Sequence, residues 1–239
     1  MAGDLVRYDR EGDIAWVTLN RPDRLNAVSM EMRDQFWGVL TALRDDPTVR
    51  CAVIRGAGDR AFSAGADITE FGSAPSLLAA REARQQRDLW GVMSRLEVPL
   101  VAAIHGFAYG AGMEMSLYCD LRIAASDARF ALPEVTLGYI PSAGGTQTAP
   151  RHLHRSDALR MVTTGEPLTA EQAWEAGLVH TVVARERLDD VARACAERIA
   201  SAPPAAMRAV KRAVWDGLDR SLVEGLALER RLAARVAAS

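Results

Sequence analysis

Two glutamates and two glycine-bearing loops are the parts of this chain whose residue types and spacing can do chemistry. Glu114 stands in an otherwise apolar run, Met113-Glu-Met-Ser-Leu117. A carboxylate buried there without a task would be costly. Glu134 follows Pro133, twenty residues further on; taken alone it reads as an exposed acid opening a helical turn. The first loop is Ala61-Phe-Ser-Ala-Gly-Ala-Asp-Ile68 and the second is His105-Gly-Phe-Ala-Tyr-Gly-Ala-Gly-Met-Glu114. Small residues in both let a ligand approach the main chain closely. The second loop, where a strand turns into a helix, also presents unpaired N–H groups. Two such groups aimed at one oxygen form an oxyanion hole. Taken singly, each loop is only a tight turn.

Competing chemistries are poorly supported. Gly56-Ala-Gly-Asp-Arg-Ala61 formally matches the dinucleotide fingerprint G-x-G-x-x-A. That motif needs a helix to open at its glycines, and Ser63, Gly65 and Asp67 compose a poor first turn. Ala61-Phe-Ser-Ala-Gly65 is one glycine short of a nucleophile elbow, with no Asp and His partners in order. His152 and His154 are spaced i, i+2, which on a helix point apart, so no metal site is expected. Of 29 basic side chains only Lys211 is a lysine. Amine chemistry has that single carrier, and any anionic ligand falls to arginines and backbone N–H groups. Cys51, Cys119 and Cys195 are an odd number set far apart, signalling neither a disulfide framework nor a zinc cage.

The elements that must position these residues can be read from periodicity. The 239 residues, 49% apolar and 25% charged, suit a globular protein with a sizeable core. A net charge of −2 gives no basic footprint for nucleic acid or an anionic membrane surface. The N-terminal residues lack a signal-peptide pattern, and the apolar stretch 98–119 is interrupted by His105, Glu114 and glycines. A cytoplasmic protein is expected. Leu5–Tyr8 and Ile14–Leu19 read as a hairpin around Glu11-Gly-Asp13. Ser29 caps a helix whose Met32, Phe36, Val39, Leu40 and Leu43 share one face. Cys51–Ile54, Pro99–Ile104 and Leu121–Ala124 read as buried strands, and 76–96 as helical. Strands separated by helices imply a sheet covered on both sides. From about Arg151 helical periodicity dominates: Leu188 to Ile199, Met207 to Trp215 and Leu222 to Val236, with Pro203-Pro204 between two of them. This tail is either a solvated amphipathic stretch or a subunit interface.

At this level of detail the chain resembles the crotonase (enoyl-CoA hydratase/isomerase) superfamily over nearly its whole length. The matching blocks stand in order: Leu19-Asn-Arg-Pro-Asp-Arg-Leu-Asn-Ala27, Phe62–Ile68, 105–120 ending in Cys119-Asp120, Leu132-Pro-Glu-Val-Thr-Leu-Gly138, Pro141-Ser-Ala-Gly-Gly-Thr-Gln147 and Thr164–Val179. The resemblance implies an α/β fold, a ββα superhelix over residues 1–185, with a C-terminal helical trimerisation region over 186–239. It implies trimers or dimers of trimers and an acyl-CoA thioester substrate. CoA is then part of the substrate, with no separate cofactor and no metal. By the same resemblance the backbone N–H groups of Ala66 and Ala111 hold the thioester oxygen. Ala111 replaces a glycine usual in the family, and a main-chain donor survives that change if its φ is negative. Ala64, Asp67, Ile68 and Thr69 line the CoA site, and Arg24 is a candidate phosphate contact. By the same resemblance, relatives usually continue into a further helix that covers the acyl-CoA site. Either that segment is absent here, which would leave the acyl end more open, or the sequence omits it.

Glu114 and Glu134 together match the hydratase pattern, whereas simple isomerases of the superfamily keep only the second acid. The implied reaction is syn addition of water to a trans-2-enoyl-CoA. Glu114 would activate the water and Glu134 protonate C2. An enoyl-CoA isomerase, or a catalytically weak acyl-CoA-binding assembly subunit, remains as an alternative within this fold, since the fold alone does not decide the reaction.

Overall fold

A computed structural model describes residues 3–70 and 87–238. Its strands are β1 (Val6–Glu11), β2 (Ile14–Leu19), β3 (Cys51–Gly56), β4 (Ala61–Ser63), β5 (Leu100–Ile104), β6 (Phe107–Tyr109), β7 (Leu121–Ala125), β8 (Arg129–Ala131), β9 (Leu168–Thr169) and β10 (Thr181–Val183). The helices are α1 (Met30–Asp45), α2 (Leu89–Arg95), α3 (Ala111–Leu117), α4 (Gly145–His152), α5 (Arg155–Thr164), α6 (Ala170–Glu175), α7 (Leu188–Ala200), α8 (Pro204–Gly217) and α9 (Leu222–Ala237). Of the helix expected over 76–96, the stretch 76–86 lies outside the described residues, and Leu89–Arg95 is helical.

The strands form two sheets. The larger has the order β1-β2-β3-β5-β7-β10, a leading antiparallel hairpin followed by parallel neighbours. The smaller has the order β4-β6-β8-β9. Each of β3, β5 and β7 runs into a strand of the smaller sheet, so strand, bend, strand recurs as the chain winds. This is the ββα superhelix. The bend after β5 depends on Gly106, whose φ is +51°, a conformation side chains disfavour. A Cβ there would also overlap the Arg60 carbonyl.

Period-two burial explains why the larger sheet is covered on both faces. Ala52, Ile54, Ala102, Ile104 and Ala124 join the main core with Met32, Phe36, Leu40 and Leu43 of α1. The alternate residues Cys51, Val53, Val101, Ala103 and Ile123 pack under Leu188, Ala192, Ala196 and Ala200 of α7. The alanines bring that helix close to the strands. The division expected at 185/186 therefore falls ahead of a helix that covers the sheet. Helix α8 docks by a different means. Lys211 Nζ lies 2.8 Å from Asp120 Oδ2 and donates to Val98 O, while Trp215 Nε1 donates to Asp120 Oδ1 at 2.7 Å. The chain's only lysine is thus a buried ion-pair partner. Among the described residues no helix is long and apolar enough to cross a membrane.

The turn Pro22–Asn26 supports the loop that follows β4. Leu25 and Asn26 both have φ +53°. The Asn26 side chain, fully buried, accepts from Arg21 N (2.8 Å) and donates to Ala57 O (2.9 Å) and Ala61 O (2.8 Å). Replacing it by alanine strands all three groups. Asn26→Ala should lower stability by on the order of 3 kcal/mol, the scale of buried polar groups losing their partners. Denaturant unfolding measures this; a change within about 0.5 kcal/mol, the scale of a plain surface substitution, would contradict it.

Candidate active site

The loop after β4 and the loop before α3 meet face to face. In the first, Ser63 Oγ donates to Asn26 O (2.8 Å), Val28 N to Gly65 O (2.8 Å) and Asp67 N to Val28 O (3.1 Å). These bonds fix the chain on either side of Ala66, whose own N–H has no acceptor among the described residues. In the second, Gly110 N donates to Ala131 O (3.0 Å), and the next amide, Ala111, is likewise without an acceptor. Each free amide follows a glycine of positive φ, Gly65 at +100° and Gly110 at +49°. Ala111 itself is not among the residues of positive φ, so its methyl introduces no backbone strain. A Cβ on Gly65 would stand 2.9 Å from Tyr109 O and 3.4 Å from Ala111 N, which measures how closely the loops approach.

The two glutamates come from different elements. Glu114 lies on α3 and is 2% exposed; its Oε1 accepts from Ala143 N and Gly145 N, both at 2.8 Å. Burial pushes its pKa up to about 7, with the charge of Glu134 adding to the rise and the two amides opposing it. Desolvation therefore outweighs two hydrogen bonds to the charged form. Glu134 projects from the 3-10 turn Pro133–Leu137. A Cβ on Gly110 would sit 2.9 Å from Glu134 Oε1, so this carboxyl borders the free amides. Its Oε2 is buried without a hydrogen-bond partner, and burial raises its pKa as well. Two carboxyls of raised pKa in electrostatic contact can hold one proton between them and serve as acid and base together.

The other expected site residues differ in exposure and bonding. Ile68 and Thr69 are exposed, Ala64 is half-buried, and Ala64 N donates to Leu25 O (2.9 Å) beside the exposed Arg24. The Asp67 carboxylate is engaged within the protein, by Arg21 Nη1 (2.7 Å), the Thr69 hydroxyl (2.6 Å) and Thr69 N (3.1 Å). Those bonds hold its pKa down to about 2. Its observed part is to brace the loop against Arg21. A separate cavity of about 320 Å³ opens between Pro22–Asn26 and Ala57–Ala61, and neither glutamate lines it.

Sequence reasoning did not find the partners of Glu114. Ala143 and Gly145 act through main-chain N–H groups, which carry no residue-type signal. The readable sign was the pair Gly144-Gly145. Gly144 has φ +107°, and a Cβ there would overlap the Tyr118 hydroxyl; one on Gly145 would come within 2.9 Å of Glu114 Oε1. Tyr118 in turn donates to Ala143 O (3.1 Å) and stacks on Trp90 at 5.9 Å.

Comparison with known proteins bears on this arrangement. Residues 9–239 match the family model for enoyl-CoA hydratase/isomerase. The (E)-benzylidenesuccinyl-CoA hydratase of Thauera aromatica is 38% identical over 221 residues, 92% of this chain and 86% of that protein. The 2,3-dehydroadipyl-CoA hydratase of Escherichia coli K12 is 38% identical over 96% of this chain and 89% of its own length. The crystal structure of an enoyl-CoA hydratase from Bacillus anthracis superposes with a TM-score of 0.93 at 35% identity, covering 98% of this chain and 92% of that one.

The raised pKa of Glu114 makes a stability prediction of definite sign. Between the unfolded value of 4.5 and the folded value of about 7, the folded protein keeps a proton that the unfolded chain releases. The protonated carboxyl's contribution is complete below pH 4.5 and is lost as pH rises through 7. Glu114→Gln cannot ionise. Its stability relative to wild type should rise across that window by an amount on the order of 3 kcal/mol, then level off. Denaturant unfolding at several pH values tests this, and a difference independent of pH would refute it.

Proposed function

The chain belongs to the enoyl-CoA hydratase/isomerase family, and from that premise we propose that it adds water reversibly to trans-2-enoyl-CoA thioesters, giving 3-hydroxyacyl-CoA. The observation that carries this reading is the meeting of two free amides with two carboxyls of raised pKa. The Ala66 and Ala111 N–H groups would receive the thioester oxygen as negative charge develops on it during addition. Glu114 Oε1 accepts two N–H bonds, which suits an ionised carboxylate. Its Oε2, without a partner among the described residues, would take a proton from the water that attacks C3. Glu134, with a buried and unbonded Oε2, would give its proton to C2. Burial raises both carboxyls, so each holds a proton more readily than an exposed acid does. The Ala143 and Gly145 amides are what favour the ionised form that the role of Glu114 as base requires.

In this reading CoA lies along the rim formed by Arg24, Ala64, Ile68 and Thr69, with Asp67 holding the loop in place. The chemistry draws on no metal or redox centre, since CoA is part of the substrate. Homo-oligomerisation is proposed on the exposed apolar side chains of α8 and α9. Val210, Val214, Leu218, Leu222 and Val223 are each more than half exposed.

Glu134→Gln preserves shape and removes proton transfer, so kcat for hydration should fall roughly 10²–10⁴-fold with little change in acyl-CoA affinity. Glu114→Gln should lose most hydration yet keep some double-bond isomerisation, because one acid suffices to shuttle a proton. Wild-type hydration by Glu114→Gln would sink the two-carboxyl assignment. Ala66→Pro deletes one of the two donors and should cost roughly 10²–10³-fold in kcat. Circular dichroism must accompany that assay, and a folded, fully active Ala66→Pro would overturn the oxyanion reading.

A further inference from the structure

The far end of helix α3, away from Ala111, is held by a buried guanidinium that is hydrogen-bonded to no carboxylate among the described residues. Arg122 is 2% exposed and forms no salt bridge among the described residues. Its Nη1 donates to Cys119 O (2.6 Å) and Ser116 O (3.2 Å), and its Nε to Leu178 O (2.6 Å). Nη2 lies 3.3 Å from His152 Nδ1, and His152 Nε2 lies 2.9 Å from Leu117 O. A carbonyl can only accept, so His152 Nε2 carries the hydrogen and Nδ1 is left to accept from Arg122. Burial and the nearby Arg122 charge push the His152 pKa down to about 4, in keeping with that neutral tautomer. The carbonyls of Ser116, Leu117 and Cys119, where the helix ends, are thus all satisfied by these two side chains.

A buried cation is expensive. The charge of nearby Asp120 offsets part of that cost without a direct bond, and a methionine-sized apolar residue would fill the same space without the cost at all. The geometry offers a reason for keeping this one. A seven-residue helix is about 10 Å long and moves as a rigid piece. Gly112 to Leu117 are buried, so its freest remaining displacement is along its own axis. Arg122 bonds the helix at Ser116 O and the segment just beyond it at Cys119 O, His152 bonds Leu117 O, and Arg122 is itself anchored to Leu178 O and His152. This network opposes that sliding, and the rigid helix carries the constraint to its first amide, Ala111. The His152 ring also meets Trp215 of α8 edge-on at 6.2 Å, and Trp215 is tied to Asp120. The network is therefore clamped from the C-terminal helices as well.

We propose that Arg122, together with His152, is a positioning residue for the reaction: it sets the axial placement of helix α3 and hence of the Ala111 donor in the oxyanion hole. This rests on the hydratase reading above. Misplacement by about 1 Å far from the chemistry can cost 10²-fold, and that scale governs the expected effects.

The test pairs enoyl-CoA hydration kinetics with the absorbance of bound cinnamoyl-CoA, whose conjugated band moves to the red as its thioester carbonyl is polarised. Arg122→Lys keeps the charge but cannot make the planar fork. It should lower kcat between roughly tenfold and 10²-fold, with KM changed less than about threefold, and should shrink the red shift. His152→Phe keeps a ring against Trp215 but strands Leu117 O, and should act in the same direction. His152→Gln, which can donate to Leu117 O and accept from Arg122, should recover most of the loss. Should Arg122→Lys not accumulate as folded protein, the His152 pair carries the test alone. Folded variants with a lower Tm but unchanged kcat and red shift would make the network purely structural and overturn the proposal. A wild-type protein with neither hydration nor red shift would instead refute the hydratase reading beneath it.

Discussion

The loops bearing Gly65 and Gly110 approach so closely that a Cβ on Gly65 would stand 2.9 Å from Tyr109 O, and both glycines have a positive φ that side chains disfavour. A Cβ on Gly110 would stand 3.7 Å from Gly65 Cα and 2.9 Å from Glu134 Oε1. That contact brings two consecutive turns of the superhelix together at one point, and each glycine hands its chain on to an alanine whose amide stays unpaired. The rest of the architecture keeps this crossing in place. Asn26 ties the Pro22–Asn26 turn to Ala57 and Ala61, Arg21 grips Asp67, and the pairing of β6 with β8 fixes the chain leading to Gly110. Strand and bend thus serve to present backbone donors, which no side-chain substitution can readily replace.

Electrostatics around the crossing separates carboxyls by environment. Asp67 and Glu114 are both buried and both accept hydrogen bonds, yet their pKa values move in opposite directions. Asp67 has a hydroxyl and a guanidinium as partners, and their pull outweighs the slight desolvation of its carboxyl. Glu114 has only two neutral amides, faces a second carboxyl, and burial wins. The first is locked in its charged form as a structural brace; the second is poised to change protonation near neutral pH. One kind of functional group therefore supplies both the scaffold and the chemistry.

Much of this was legible in the sequence. The apolar runs of β3, β5 and β7, the Ser29 cap and stripe of α1, and the glycines of both loops each have a local signature that the structure repeats. Glu114 stood out because a charge in an apolar run needs an explanation. The unread part consists of long-range polar contacts made by ordinary residues. Asn26 meets carbonyls 31 and 35 residues away, and Glu114 meets amides 29 and 31 residues away. Arg122 sits in a strand pattern that gives no hint of a buried cation, and its partners other than Cys119, 6 to 56 residues away, come from the helices of Ser116 and His152 and from the bend at Leu178. The short strands β9 and β10 were missed for a related reason: two or three residues carry too little periodicity to be seen.

The central claim is that two main-chain donors and two carboxyls together hydrate an α,β-unsaturated thioester. The most direct test incubates the wild-type protein with trans-2-enoyl-CoA thioesters of increasing acyl length. Absorbance of the conjugated enoyl thioester is followed while 3-hydroxyacyl-CoA is quantified. The account predicts saturable, reversible loss of that absorbance for at least one chain length, matched mole for mole by the hydroxyacyl product. Saturable binding of these thioesters without loss of the enoyl chromophore at any length would contradict it, and would make the chain an acyl-CoA-binding protein.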